Sequence, residues 1–180
     1  MTLTVTDNDG ATDSANTTAN ITEPPPPPDP DPSSVVFYDS FEVSEWNGLW
    51  VEDSQRDWHR SRFNNTEGRY GAEVDGRTSD GALTSIPIDL QGRSNATITF
   101  NWLIERWLDA GEYLAFDIST DGGNTWVEKG RLRAEIDAED TWHAVNMDVT
   151  NISNLQLRFR GFMDFGGEDA AVDEVQVEAW

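Results

Sequence analysis

Residues 97–104 read Thr-Ile-Thr-Phe-Asn-Trp-Leu-Ile, and residues 114–119 read Leu-Ala-Phe-Asp-Ile-Ser. In the first stretch Ile98, Phe100, Trp102 and Ile104 alternate with Thr97, Thr99, Asn101 and Leu103. In the second, Leu114, Phe116 and Ile118 alternate with Ala115, Asp117 and Ser119. Successive side chains of a strand point to opposite faces, so both stretches predict sheet with one apolar face. Runs of the same kind recur at 35–41, 58–63, 83–90, 126–133, 142–149, 155–162 and 171–177, separated by Gly, Asp and Asn turns. About nine or ten short strands in about 145 residues predict an all-β fold, a two-sheet β-sandwich or jelly roll over 35–180. The exception is 104–110, around Glu105-Arg106-Trp107-Leu108-Asp109, which reads as a short helical turn or a loop.

Composition supports one sizeable core with appendages. The 180 residues include eight Trp and eight Phe, and 37% are apolar. Acidic residues outnumber basic ones 34 to 12, a formal charge of -22, which repels nucleic acid and anionic headgroups. Lys129 is the only lysine. Cysteine is absent, so neither a disulfide framework nor a thiolate metal site is available. No apolar run is long enough to insert in a membrane, and no basic and apolar leader follows Met1. The expectation is a mature segment or fragment of an extracellular or cell-surface protein. Asn16, Asn20, Asn64, Asn95 and Asn151 each begin an Asn-x-Ser/Thr sequon, acceptors in a host that glycosylates.

Outside the predicted sandwich, residues 24–32 are Pro-Pro-Pro-Pro-Pro-Asp-Pro-Asp-Pro, which sets a stiff proline-rich linker over 24–34. Before it, 1–23 carries a strand-like run at Leu3–Thr6, the turn Asp7-Asn8-Asp9-Gly10 and a second Thr-rich run. Thr2-Leu3-Thr4-Val5-Thr6-Asp7-Asn8-Asp9-Gly10-Ala11 resembles the C-terminal hairpin of a PKD domain. Two strands alone are marginal in water, so the segment is a candidate for addition to another sheet, in its own subunit or the next.

The landmarks of 35–180 resemble the MAM-like jelly-roll domains of secreted bacterial and archaeal proteins. They are Asp39-Ser40-Phe41-Glu42, Trp58-His59-Arg60, Thr66-Glu67-Gly68, Ala72-Glu73-Val74-Asp75-Gly76, Leu83-Thr84-Ser85, Leu157-Arg158-Phe159-Arg160 and Val172-Asp173-Glu174-Val175. Asp173 falls by period two on the face of Ala171, Val175 and Val177, where a lone carboxylate is costly. The resemblance implies a structural Ca2+ at Glu42 and Asp173, and Asp39 and Asp75 can complete its oxygen shell. An ion pair with Arg158 or Arg160 is the alternative.

Ser119-Thr120-Asp121-Gly122-Gly123-Asn124-Thr125-Trp126 fits the Asp-box pattern, read here as a hairpin turn pinned to the core by Trp126. His59 and His143 each lie beside Trp in a strand-like run and read as packed imidazoles. No nucleophile elbow, HExxH helix or phosphate loop occurs, so an enzyme is not expected. Trp46, Trp50, Trp107, Phe162 and Phe165 are candidate sugar-stacking residues, with sealing of the sandwich ends as the alternative. Two functions follow: a structural or adhesive module that packs on other subunits, surface proteins or itself, and a carbohydrate-binding module that targets a secreted hydrolase to polysaccharide.

Overall fold

A computed structural model describes residues 2–16 and 34–180; the proline run at 24–32 and the sequon at Asn20 lie outside the described residues. The strands are β1 (Thr2–Thr6), β2 (Thr12–Asn16), β3 (Ser34–Asp39), β4 (Trp50–Glu52), β5 (Trp58–Ser61), β6 (Gly71–Asp75), β7 (Ser79–Ser85), β8 (Ala96–Ile104), β9 (Tyr113–Ser119), β10 (Val127–Arg133), β11 (His143–Val149), β12 (Gln156–Phe162) and β13 (Asp169–Ala179). β1 and β2 form an antiparallel hairpin of their own, closed at Asp7, whose carboxylate accepts the amides of Asp9 and Ala11.

The remaining strands make two antiparallel sheets. One runs β10-β9-β12-β7-β4 and the other β11-β8-β13-β6-β5, with β3 also paired to β13. The alternation of β8 is realised: Ile98, Phe100, Trp102 and Ile104 enter the core, where they meet Leu114, Phe116 and Ile118 of β9 and Leu157 and Phe159 of β12. At its centre Phe100 packs on Phe116 and Phe159 with ring centroids 4.6 and 5.0 Å away. Two indoles tie the sheets together. Trp58 of β5 donates to the Gly81 carbonyl of β7 at 2.9 Å, and Trp50 of β4 donates to the Asp39 carboxylate of β3 at 2.9 Å.

Several boundaries differ from the sequence reading. β3 stops at Asp39 because Phe41 turns to φ 57°, its amide held by Asp39 Oδ1 at 2.9 Å. The predicted strand 83–90 is displaced to 79–85, and Ile88 keeps only an isolated bridge to Leu155. Of segment 104–110, Ile104 ends β8 and the rest is a loop. β6, absent from the prediction, has no alternation to find: its first four residues are all buried.

The loop 62–70 explains that burial. Asn64 donates to Glu73 of β6, Thr66 donates to Asp173 of β13, and the Asn101 amide of β8 lies 3.5 Å from the Thr66 hydroxyl. The loop therefore straps the outer face of the six-stranded sheet. Under it Leu103 and Ala171, opposite one another on β8 and β13, are buried away from the main core.

Candidate functional site

The acidic residue singled out in β13 is buried, but not where period two places it. Between Asp173 and Gln176 the register with β8 slips by one residue, and Glu174 takes φ 56°: a β-bulge. The bulge reverses the faces, so Val172 and Val175 both enter the core while Asp173 points outward beneath the strap. Its exposure is 0%. Asp173 Oδ2 accepts the Thr66 amide at 2.7 Å and the Thr66 hydroxyl at 2.9 Å; burial, only partly offset by these bonds, pushes its carboxyl up from the ordinary value. Arg158 and Arg160 do not reach it; both pair with Asp117 in the other sheet.

Of the four expected calcium ligands, the structure brings Glu42 and Asp173 to one element. Glu42 Oε1 accepts the amides of Arg69 and Tyr70 at 2.7 Å each, so the two carboxylates hold opposite ends of the strap. Asp39 instead faces inward and is taken by Trp50 and Phe41. Asp75 lies opposite Asp169, four residues along β13 from Asp173. That position belongs to another acidic group. Burial first, then the charges of Glu73, Asp75 and Glu105, raise the Asp169 carboxyl to about 7. Glu73 itself is held low, against its burial, by His59 (3.3 Å) and Asn64. His143 Nε2 lies 3.0 Å from the Ala138 carbonyl, so both imidazoles have structural partners. The Asn64 amide also reaches Glu105, and a glycan on this sequon would have to displace both contacts. Asn95 is half-buried and Asn151 exposed, and Asn16 ends β2.

The Asp box forms the expected turn. Asp121 accepts the Thr125 amide at 2.9 Å and its hydroxyl at 2.7 Å, with Gly122 and Gly123 at φ 74° and 84°. Trp126, however, does not reach the core. It lies under Arg158, whose guanidinium carbon is 4.2 Å from the ring centroid.

Arg158 belongs to an ionic lattice on the outer face of the five-stranded sheet. Buried Asp117 receives Arg158 at 2.8 Å and Arg160 at 2.6 Å, and Arg160 also bridges Asp80 (2.6 Å) and Glu128 (2.9 Å). Glu128 in turn takes Arg131 at 2.6 Å. Burial raises the Asp117 carboxyl, but bonds from Arg160 and then Arg158 outweigh it and hold it low. Three guanidiniums thus balance three carboxylates on a strongly acidic protein. At one end of this face Tyr113 is sandwiched between Arg131, 3.6 Å from its centroid, and Phe162, stacked at 5.6 Å.

A cleft of about 490 Å³ is lined by Trp107, Asp109, Asp164, Phe165, Gly167 and Glu168. Trp107 is 71% exposed and Phe165 62%; four strands, β9 to β12, separate them in sequence, and the fold returns them to one place. Glu112, buried at the start of β9, gathers the two loops: its carboxylate accepts the amides of Asp109 and, at 2.8 Å, of Asp164. Glu168 Oε2 accepts the Phe165 amide at 2.8 Å, which closes a tight turn. Trp107 stands at φ 91°, a costly conformation for a bulky residue, and Arg106 beside it is fixed to Asp140 at 3.1 Å. One carboxylate oxygen from each of Asp109, Asp164 and Glu168 lies within 4.8 Å of the others, a spacing wide enough for a cation between them. Glu168, only 3% exposed, is pushed up by burial and by the neighbouring Glu112 and Asp164 charges.

Among the sequence candidates for stacking, Trp107 and Phe165 therefore line one cleft, while Phe162 stacks on Tyr113. Trp50 is buried, and Trp46 packs edge-on to Phe41 and donates to Glu52. The Asp117 lattice was missed, although Asp117, Arg158 and Arg160 occupy outward positions of their period-two patterns and carry that signal.

No protein-family model matches the sequence, and no curated protein matches it. Solved structures do. The CBM22-1 xylan-binding domain of Xyn10C from Paenibacillus barcinonensis superposes with a TM-score of 0.60 at 13% identity, over 82% of this chain and 95% of that one. The K3 cleaved adhesin domain of Lys-gingipain from Porphyromonas gingivalis gives 0.63 at 19% identity, over 82% and 99%. A family 16 carbohydrate-binding module gives 0.57 at 15%, over 80% and 99%. At these identities the likeness establishes the jelly-roll fold.

Proposed function

We propose that this chain is a non-catalytic, extracellular polysaccharide-binding module that targets an attached protein to its substrate. The observation that carries this reading is the cleft. Two large aromatic side chains stand in solvent on either side of it, against the hydrophobic effect, and flat rings stack on the apolar faces of sugars. Glu112 and the Glu168 turn fix the loops beforehand, which lowers the ordering cost of binding. Carbohydrate-binding modules of this fold support the reading.

The test is retention on insoluble xylan, cellulose and chitin. Retardation on at least one, abolished by Trp107→Ala with Phe165→Ala, is expected; free passage over all three refutes the proposal.

We assign the structural Ca2+ to Glu42 and Asp173, with carbonyl oxygens completing its shell. Asp173 is buried among neutral donors, and the charges of Asp173, Glu67 and Glu42 all bear on neighbouring Glu174, so a cation there would relieve a negative cluster in which Arg60 and Arg69 offset Glu42. A melting temperature raised by Ca2+ and lowered by chelator is expected; superimposable melts exclude the ion. The adhesive reading is second. β1 and β2 satisfy each other, which lends no weight to strand donation between subunits.

A further inference from the structure

We propose that the Trp107–Phe165 cleft selects a sugar residue bearing a free ammonium, a 2-amino-2-deoxy hexose unit of a polysaccharide, over neutral or N-acylated sugars. This rests on the glycan-binding reading and narrows it.

The aromatic walls supply a stacking surface for any pyranose, but the floor is not neutral. Asp109, Asp164 and Glu168 present carboxylate oxygens within 4.8 Å of one another, and such groups are acceptors only. A neutral sugar offers them hydroxyl donors and leaves the charge uncompensated. An ammonium offers three N–H donors and no acceptor, one donor for each carboxyl group, and a positive charge where the set is negative. The indole of Trp107 on the cleft wall adds attraction for a cation beside its face.

The surroundings sharpen the contrast. Glu112 stands behind the floor and spends its acceptors on the Asp109 and Asp164 amides, so it adds negative charge without adding a counterion. Arg106, the cationic neighbour of Trp107 in sequence, pairs with Asp140 at 3.5 Å. The Glu168 oxygen that binds the Phe165 backbone amide links the carboxylate set to the turn that carries the aromatic ring. An N-acetyl group would remove the charge, place a carbonyl acceptor against carboxylates and forfeit all three terms.

The experiment is isothermal titration of the full chain with a short glucosamine oligosaccharide, its amines protonated, and with the N-acetylglucosamine and xylose oligosaccharides of equal length. Because a chain of charge -22 attracts any polycation, three variants accompany it. Trp107→Ala leaves the charge unchanged. Asp164→Asn and the distant surface change Glu45→Gln each remove one negative charge.

The expected result is glucosamine binding about tenfold tighter than its acetylated counterpart, lost in Trp107→Ala and Asp164→Asn, kept in Glu45→Gln, and unaffected by chelator. Equal affinity for acetylated and free-amine oligosaccharides, or preference for xylose, overturns the charge selection and leaves the glycan-binding reading standing. Glucosamine binding that survives Trp107→Ala marks diffuse attraction and overturns the proposal. Binding abolished by chelator assigns the floor to a metal and overturns it too. Heat from none of the sugars defeats both readings.

Discussion

Asp117 shows how single residues on this fold hold charge without solvent. Its carboxylate is almost wholly buried, yet it lies on the outer face of a sheet, roofed by the guanidiniums of Arg158 and Arg160. Removing one member of such a set strands the others, so Asp117→Asn should cost about 3–5 kcal/mol, read from the denaturant midpoint. No change in midpoint would mean that the lattice is solvated. Asp169 behaves oppositely. No arginine roofs it, and its carboxyl titrates at about 7. A carboxyl raised on folding contributes stability that is full below its unfolded value and is lost as pH rises through about 7. His59, raised chiefly by its bond to Glu73, acts in the same sense. Stability should therefore fall between mildly acidic and mildly alkaline pH, and Asp169→Asn should flatten that slope; an unchanged slope would place the titration elsewhere. The outward positions of Asp117, Arg158 and Arg160 were legible in the sequence, but the partners in either environment were not, because they depend on which strand lies alongside. Asp117 faces Arg158 through β9–β12 pairing, and Asp169 faces Asp75 through β13–β6.

At the scale of elements, the strongly alternating strands were legible and the interrupted ones were not. β8 and β9 carry uninterrupted period-two patterns, and they form the centre of the sandwich. In β13 the bulge at Glu174 broke the pattern. Asp173 was read onto the wrong face, although its burial was anticipated. β6 was invisible because the strap buries its outer face as well as its inner one, and β4 is only three residues long. The turn that carries Phe165 is also positioned by an element remote in sequence. Gly76 donates its amide to the Glu168 carbonyl at 3.0 Å, and a Cβ on Gly76 would meet the Phe165 carbonyl oxygen at 2.1 Å. That neighbour is backbone and cannot swing aside. Gly76→Ala should therefore displace the turn and weaken glycan binding while the protein still folds, as judged by a cooperative melt. Undiminished affinity in the folded variant would show that the turn does not set the cleft.

For the whole molecule, the interior of the sandwich is occupied by aromatic packing, so the proposed recognition is left to its surface, at the Trp107–Phe165 cleft. Of the two indoles that tie the sheets together, Trp50 and Trp58, the first is also a stacking candidate in the sequence; burial separates it from Trp107. What the sequence could not supply was convergence: Trp107 and Phe165 belong to loops that meet only after β9 and β12 pair. The strongly acidic surface keeps nucleic acid and anionic surfaces away, which suits a module working on neutral or cationic polymer. The most direct test of this account is isothermal titration of the wild-type chain and of the Trp107→Ala/Phe165→Ala variant against the polysaccharide that retains the protein. Saturable heat in the wild type and none in the variant, with both melting alike, is the result the account predicts. Equal binding by the two proteins would contradict it.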